Sequence, residues 1–144
     1  MESQATATWE GDLMNGHGTT SAASGVLKGA NLSWKARTEG AAAHTTPEEL
    51  LAASHASCFS MALSHALAQA GNPATKLETS CVVTFGPKSG GFEVKSSKLT
   101  VKGWVPGLDP TKFSELAESA KNGCPISGIM KNNVQMTVHA QLNG

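Results

Sequence analysis

The chain has 144 residues, a formal net charge of zero and only 15% charged residues, with a pI near 7.0. That length suits one domain with a sizeable core, expected to span residues 1–144. The balanced charge excludes a basic nucleic-acid stripe and a polybasic membrane tether. No uninterrupted apolar run approaches the roughly 18 residues of a spanning helix. The polar start MESQATATWEGD has no signal-peptide core, so a cytoplasmic location with reduced cysteines is expected.

Residues 5–10 and 17–24 read as two short strands around a turn at Gly11–Gly16. Residues 30–39 read as a third strand, with Leu32, Trp34 and Ala36 on one face and Ser33, Lys35 and Arg37 on the other. A small-residue loop follows, and then Thr46-Pro47-Glu48-Glu49, a strong helix start. Thr46 can cap, Pro47 suits the first helical position, and Glu49 stands three residues beyond the cap. The helix is expected to run to Ala70, with Gly71 as its stop. Leu50, Leu51, Phe59, Met61, Leu63 and Leu67, with seven alanines along the helix to Ala70, leave it few polar positions, the composition of a helix buried on most sides.

Residues 76–86 and 92–105 read as a hairpin. Asp109-Pro110 opens an amphipathic helix over 110–122 that turns Phe113, Leu116 and Ala120 inward. Residues 125–131 read as a short helical turn and 133–142 as a closing strand. The expected order is β-β-β-α-β-β-α-β, an α+β fold with a largely antiparallel sheet around a long central helix.

Three cysteines at wide spacing do not make a disulfide framework. Cys58 lies inside the long Ala-rich helix, and the ordinary fate of such a thiol is inert packing. Its functional reading is an attacking thiolate, which an apolar surround opposes and a cation must favour. The eleven basic residues are ten lysines and one arginine, Arg37, whose permanent charge and planar fork suit that task. Glu48 could orient Arg37 through a bidentate pair, with helix-start electrostatics as the plainer reading. On a straight helix, however, Glu48 and Cys58 stand about 15 Å apart. A site using both needs a break after Leu51 or a second subunit. Cys124, beside Gly123 and Pro125, reads either as punctuation after a helix or as a mobile resolving thiol at an exposed turn. Cys81 reads as packing.

The histidines offer rival readings. His55, three residues before Cys58, shares its helix face, and His65 lies further round. His55 and Cys58 with Cys124 and His139 would supply the ligand types of a Cys₂His₂ metal site, at no standard spacing. A Cys–His acyl-transfer nucleophile would use His55. His17 and His44 read as loop residues.

The segments ATWEGDLMNGHGT (7–19), SGVLKG (24–29), TEG (38–40), TPEELLAASHASCFSMALS (46–64), VPGLD (105–109) and KNGCPIS (121–127) together resemble the OsmC/Ohr family of thiol-dependent organic hydroperoxide peroxidases, closest to the OsmC branch. The resemblance covers nearly the whole chain. It implies an intertwined homodimer whose sheets wrap two long central helices, with two active sites at the interface. It also implies a peroxidatic role for Cys58, a resolving role for Cys124, and supporting roles for Glu48 and Arg37. One departure is Thr46, where the family usually has asparagine. The function so implied is reduction of alkyl or lipid hydroperoxides to alcohols in oxidative or osmotic stress defence. No metal, haem or flavin is expected, and an external dithiol of lipoyl type, or a lipoylated protein, is the expected reductant. A redox-sensing or thiol-binding module without turnover, and a Cys/His metal-binding protein, are the alternatives.

Overall fold

The computed structural model describes residues 1–143 and divides them into two compact units that meet in sequence between Leu50 and Leu51. The described chain is α+β, with two three-stranded sheets and four helices.

In the first unit, β1 (Ala5–Glu10), β2 (His17–Ala22) and β3 (Ala30–Leu32) form an antiparallel sheet in that order. Register is fixed by pairs such as Thr8 with Thr19 and Thr19 with Asn31. Asp12 closes the first turn by accepting the Asn15 amide at 2.8 Å. Gly18 has no room for a side chain, because a Cβ there would lie 2.8 Å from the Trp9 ring. Every residue of β1 is exposed in the single chain.

The expected third strand over 30–39 is corrected. After Leu32 the chain turns into α1, Trp34–Glu39. Ser33 is its N-cap and accepts the Ala36 amide at 3.1 Å, while Gly40 ends it at φ 85°. A hydroxyl cap and a left-handed glycine outweigh the short alternation that suggested a strand. Arg37 thus stands on the last helical turn, where its charge suits the dipole.

Helix α2 runs from Pro47 to Gln69 without a break. Thr46 caps it as expected, accepting the Glu49 amide at 3.0 Å. The Glu49 carboxylate accepts from Thr45 Oγ1 at 2.8 Å rather than closing the capping box. The expectation of burial on most sides fails for the single chain: along the helix beyond Leu51, one stripe at four-residue spacing, His55, Phe59, Leu63 and Leu67, is fully buried, and Met61 is 69% exposed. By length and composition α2 could also cross a membrane, with mean hydropathy 1.2 over an 18-residue window. The expectation of no such stretch counted uninterrupted apolar runs and overlooked serines and histidines diluted among alanines.

In the second unit, β4 (Lys76–Lys88) and β5 (Gly91–Trp104) form a long antiparallel hairpin. Gly90 supplies the positive φ its tight turn requires. β6 (Gln135–Leu142) lies beside β5 and parallel to it. Helices α3 (Pro110–Gly123) and α4 (Pro125–Met130) occupy that connection, as a parallel pair demands a long crossover. Phe59, Leu63 and Leu67 pack with Leu99, Val101 and Val105 of the β5 region and with Phe113, Ala117 and Ala120 of α3. Each fully buried large side chain contributes about 1.5–3 kcal/mol. Gly103 is required here, since a Cβ would collide with the Phe113 ring.

Candidate active site

The first unit holds the cation. Arg37 Nε donates to both Glu48 oxygens at 3.1 and 3.2 Å, and Nη2 donates to Oε1 at 2.7 Å. The Glu48 side chain is 8% exposed and that of Arg37 33%, so the pair is half sheltered and stronger than a surface bridge. Trp9, Leu13, Leu32 and Trp34 line a cleft of about 280 Å³ together with Arg37 and Pro47.

The second unit holds the sulfurs. Cys58 is partly exposed on α2, Cys124 is buried, and both are free thiols. They lie close enough to influence each other's ionisation. Cys58 lines an open groove of about 400 Å³ with Ser54, Ser57, Met61, Ala62, Pro125 and Ile126. The expectation that Cys124 sits at an exposed turn is corrected, since it is buried, while its reading as punctuation after a helix holds because it ends α3. It is the N-cap of α4, with Pro125 in the first helical turn, and its Sγ accepts the Ser127 amide at 3.3 Å. The run Cys-Pro-Ile-Ser has the form of a capped helix start, with sulfur in place of the usual oxygen.

The two thiols are electrostatically unequal. Burial pushes the Cys58 thiol up, the Ile126 amide opposes that, and the adjacent Cys124 sulfur pushes it further up. Burial also works against ionising Cys124. Hydrogen bonds from the Ser127 hydroxyl and amide, the Cys58 thiol and the Ile126 amide outweigh it and hold Cys124 below the ordinary thiol value.

Behind Cys124 lies a polar chain that the sequence reading did not find. His55, fully buried, has Nδ1 2.6 Å from Ser97 Oγ and Nε2 2.8 Å from Ser127 Oγ. Ser127 Oγ is 3.3 Å from Cys124 Sγ, and Ser97 Oγ is 3.1 Å from Cys81 Sγ. Cys81 packs against the core, as expected, and is hydrogen-bonded as well. Burial keeps the His55 pKa below its ordinary value. One signal was available: Ser97 occupies the inward parity of β5 that Leu99 and Val101 continue. Among the described residues no three His, Cys, Asp or Glu side chains gather as metal ligands. His139, on β6, and His65 are exposed.

An α+β chain with one thiol at an apolar groove and a second, buried thiol that influences its ionisation defines a candidate dithiol site. The model of the OsmC-like protein family matches residues 38–139. Peroxiredoxin OsmC of Escherichia coli (strain K12) is 40% identical over 130 residues, which are 90% of each chain. The crystal structure of an organic hydroperoxide resistance protein from Elizabethkingia anophelis superposes with a TM-score of 0.74 at 26% identity, covering 97% of this chain and 96% of that one. OhrB of Bacillus subtilis, an organic hydroperoxide resistance protein, gives 0.69 at 29%, covering 97% and 98%. The chain belongs to the OsmC-like family, within the OsmC/Ohr group.

Proposed function

We propose that the protein is a two-cysteine peroxidase that reduces organic hydroperoxides in oxidative or osmotic stress defence. The observation that carries this reading is the pair of neighbouring thiols that influence each other's ionisation, one open to an apolar groove and the other buried. The Cys58 thiolate attacks the terminal peroxide oxygen, the O–O bond breaks, and the alkoxide leaves as an alcohol after taking a proton. Cys58 sulfenic acid then condenses with Cys124 to give a disulfide and water. An external dithiol of lipoyl type, free or on a lipoylated protein, restores both thiols by exchange. No bound cofactor enters this scheme, and the cytosol is the compartment that keeps the thiols reduced between turnovers.

Acidity alone would favour Cys124 as the attacking sulfur. Access decides for Cys58, since Cys124 is 1% exposed and Cys58 lines the groove. An apolar groove also suits an alkyl or lipid peroxide better than hydrogen peroxide. No cation figures among the groups that shift the Cys58 thiol. Arg37, aimed by Glu48, is the candidate source of one. The unbroken α2 puts about 15 Å of helix between Glu48 and Cys58, so we assign the Arg37–Glu48 pair to the site of a second copy. The intertwined homodimer implied by the family resemblance makes that exchange possible. The sparse burial of α2, 22% of its most apolar window, and the fully exposed β1 leave surface for such a partner.

The test is to treat reduced protein with substoichiometric cumene hydroperoxide and map its sulfurs by mass spectrometry. A Cys58–Cys124 disulfide formed in proportion to peroxide is the expected result, and Cys58→Ser should abolish peroxide consumption. Turnover that survives this substitution would overturn the reading. A sensor without turnover would form the same disulfide and stall under excess dithiol.

A further inference from the structure

The chain Cys81–Ser97–His55–Ser127–Cys124 crosses the second unit from β4 to α4. The peroxidase scheme uses only its last member. His55, Ser97, Ser127 and Cys124 are each 0–1% exposed, and a buried imidazole is costly to keep unless both nitrogens are paired. An apolar side chain would continue the Phe59–Leu63–Leu67 stripe with no such requirement. Both His55 partners are hydroxyls, which donate and accept equally well. The chain can therefore reverse its direction without leaving any group unpaired.

Resting on the peroxidase reading, we propose that His55 is a positioning residue for its second half-reaction: through Ser127 it accepts the Cys124 proton as that sulfur attacks the Cys58 sulfenic acid. Before the step, the Cys124 thiol donates to Ser127 Oγ, the Ser127 hydroxyl donates to His55 Nε2, and Nδ1–H donates to Ser97. After it, Nε2–H donates to Ser127 Oγ, and the Ser127 hydroxyl donates to the thiolate. The Ser127 amide already faces that sulfur at 3.3 Å. The S–S bond then forms and the S–O bond of the sulfenic acid breaks. The leaving hydroxide takes a proton to become water, and His55 returns to neutral. The Cys124 sulfur is oxidised and the Cys58 sulfur reduced, so the step needs no reagent beyond the hydroperoxide that made the sulfenic acid.

The titratable groups facing the ring are Cys81 on β4, its Sγ 3.9 Å from Nδ1, and Cys124 on α4 through Ser127. From β5 the ring meets the Ser97 hydroxyl. Burial, which favours the neutral ring, leaves one nitrogen open to accept.

The experiment separates the two half-reactions. Reduced full-length protein is mixed with one equivalent of cumene hydroperoxide from about pH 5.5 to 8.5, and samples are quenched with dimedone to trap sulfenic acid. His55→Gln is expected to form the Cys58 sulfenic acid at the wild-type rate. Its disulfide should close about 10- to 100-fold more slowly, within the range of a lost proton acceptor, with the dimedone adduct accumulating. The acid limb of the closure profile should also disappear. Ser127→Ala, which keeps the imidazole, should reproduce the slowed closure and decides the matter if His55→Gln does not fold. Closure at the wild-type rate with an unchanged pH profile in a folded variant would overturn the proposal. Failure of the peroxidase reading looks different, since the wild-type protein would then form no sulfenic acid or would close its disulfide and stall under excess dithiol.

Discussion

The two units of this chain divide the chemistry between them. The first, up to Leu50, holds a sheltered guanidinium–carboxylate pair beside a cleft lined by Trp9 and Trp34. The second holds the sulfurs, the buried histidine and the continuous apolar core. They also differ in self-sufficiency. Every member of the core cluster lies beyond Leu51, whereas β1 exposes all its residues. A three-stranded sheet with an open face and no large core is marginal by itself. The charge carrier is thus placed on the part of the chain with most to gain from a partner, and the thiols on the part that is already well packed.

The largest effect should come from attacking the packing of the second unit. Phe113 is fully buried against Gly103, and Phe113→Ala should cost about 3–5 kcal/mol in equilibrium urea unfolding. A loss below about 1 kcal/mol would mean that the core is not the source of that unit's stability, and the contrast drawn above would fail.

A smaller effect, about 10- to 100-fold, should follow from Arg37→Lys. Lysine keeps the charge but not the two-nitrogen grip on Glu48, and a hydrogen bond to a charged group is worth about 1.5–3 kcal/mol. The readouts are peroxide turnover and the pH dependence of Cys58 alkylation by iodoacetamide. If the pair serves the thiol, the variant should turn over more slowly and its alkylation curve should move to higher pH. If the pair only steadies the first unit, thermal stability will fall while the alkylation curve stays in place, and Arg37 leaves the mechanism.

Much of this was legible because several segments carry only one consistent signal. Thr46-Pro47-Glu48-Glu49 starts a helix under any reading, and the alternation of β4 and β5 has no helical competitor. Residues 30–39 carried two signals. Three alternating apolar residues argued for a strand, and Ser33 and Gly40 marked both ends of a short helix, which prevailed. The burial of Cys124 is not legible because a thiol is an unusual cap: Cys124 ends α3, as expected, and its sulfur also caps α4. The parallel placement of β6 is a long-range choice that no local pattern encodes. The buried histidine chain needs Ser97 and Ser127 brought to one ring from 42 and 72 residues away, a separation that periodicity does not span.

The smallest of these effects is a dependence of stability on pH that belongs to the second unit alone. Folding lowers the His55 pKa below 6.5 because the ring is buried. Above that pH the imidazole is neutral in both the folded and the unfolded chain, and His55 adds no slope. As pH falls through 6.5, the unfolded chain takes up a proton that the folded chain refuses, so stability drops by up to about 1.4 kcal/mol per pH unit for this one site. The drop should level off below the folded pKa. Urea midpoints measured from pH 8 down to about pH 5, above the range in which carboxylates titrate, should show this bend in the wild-type protein and lose it in His55→Gln. Arg37→Lys should keep it, because that substitution leaves the buried imidazole in place. A bend that survives in His55→Gln would assign the proton to another group and show that the imidazole is not held neutral by its burial.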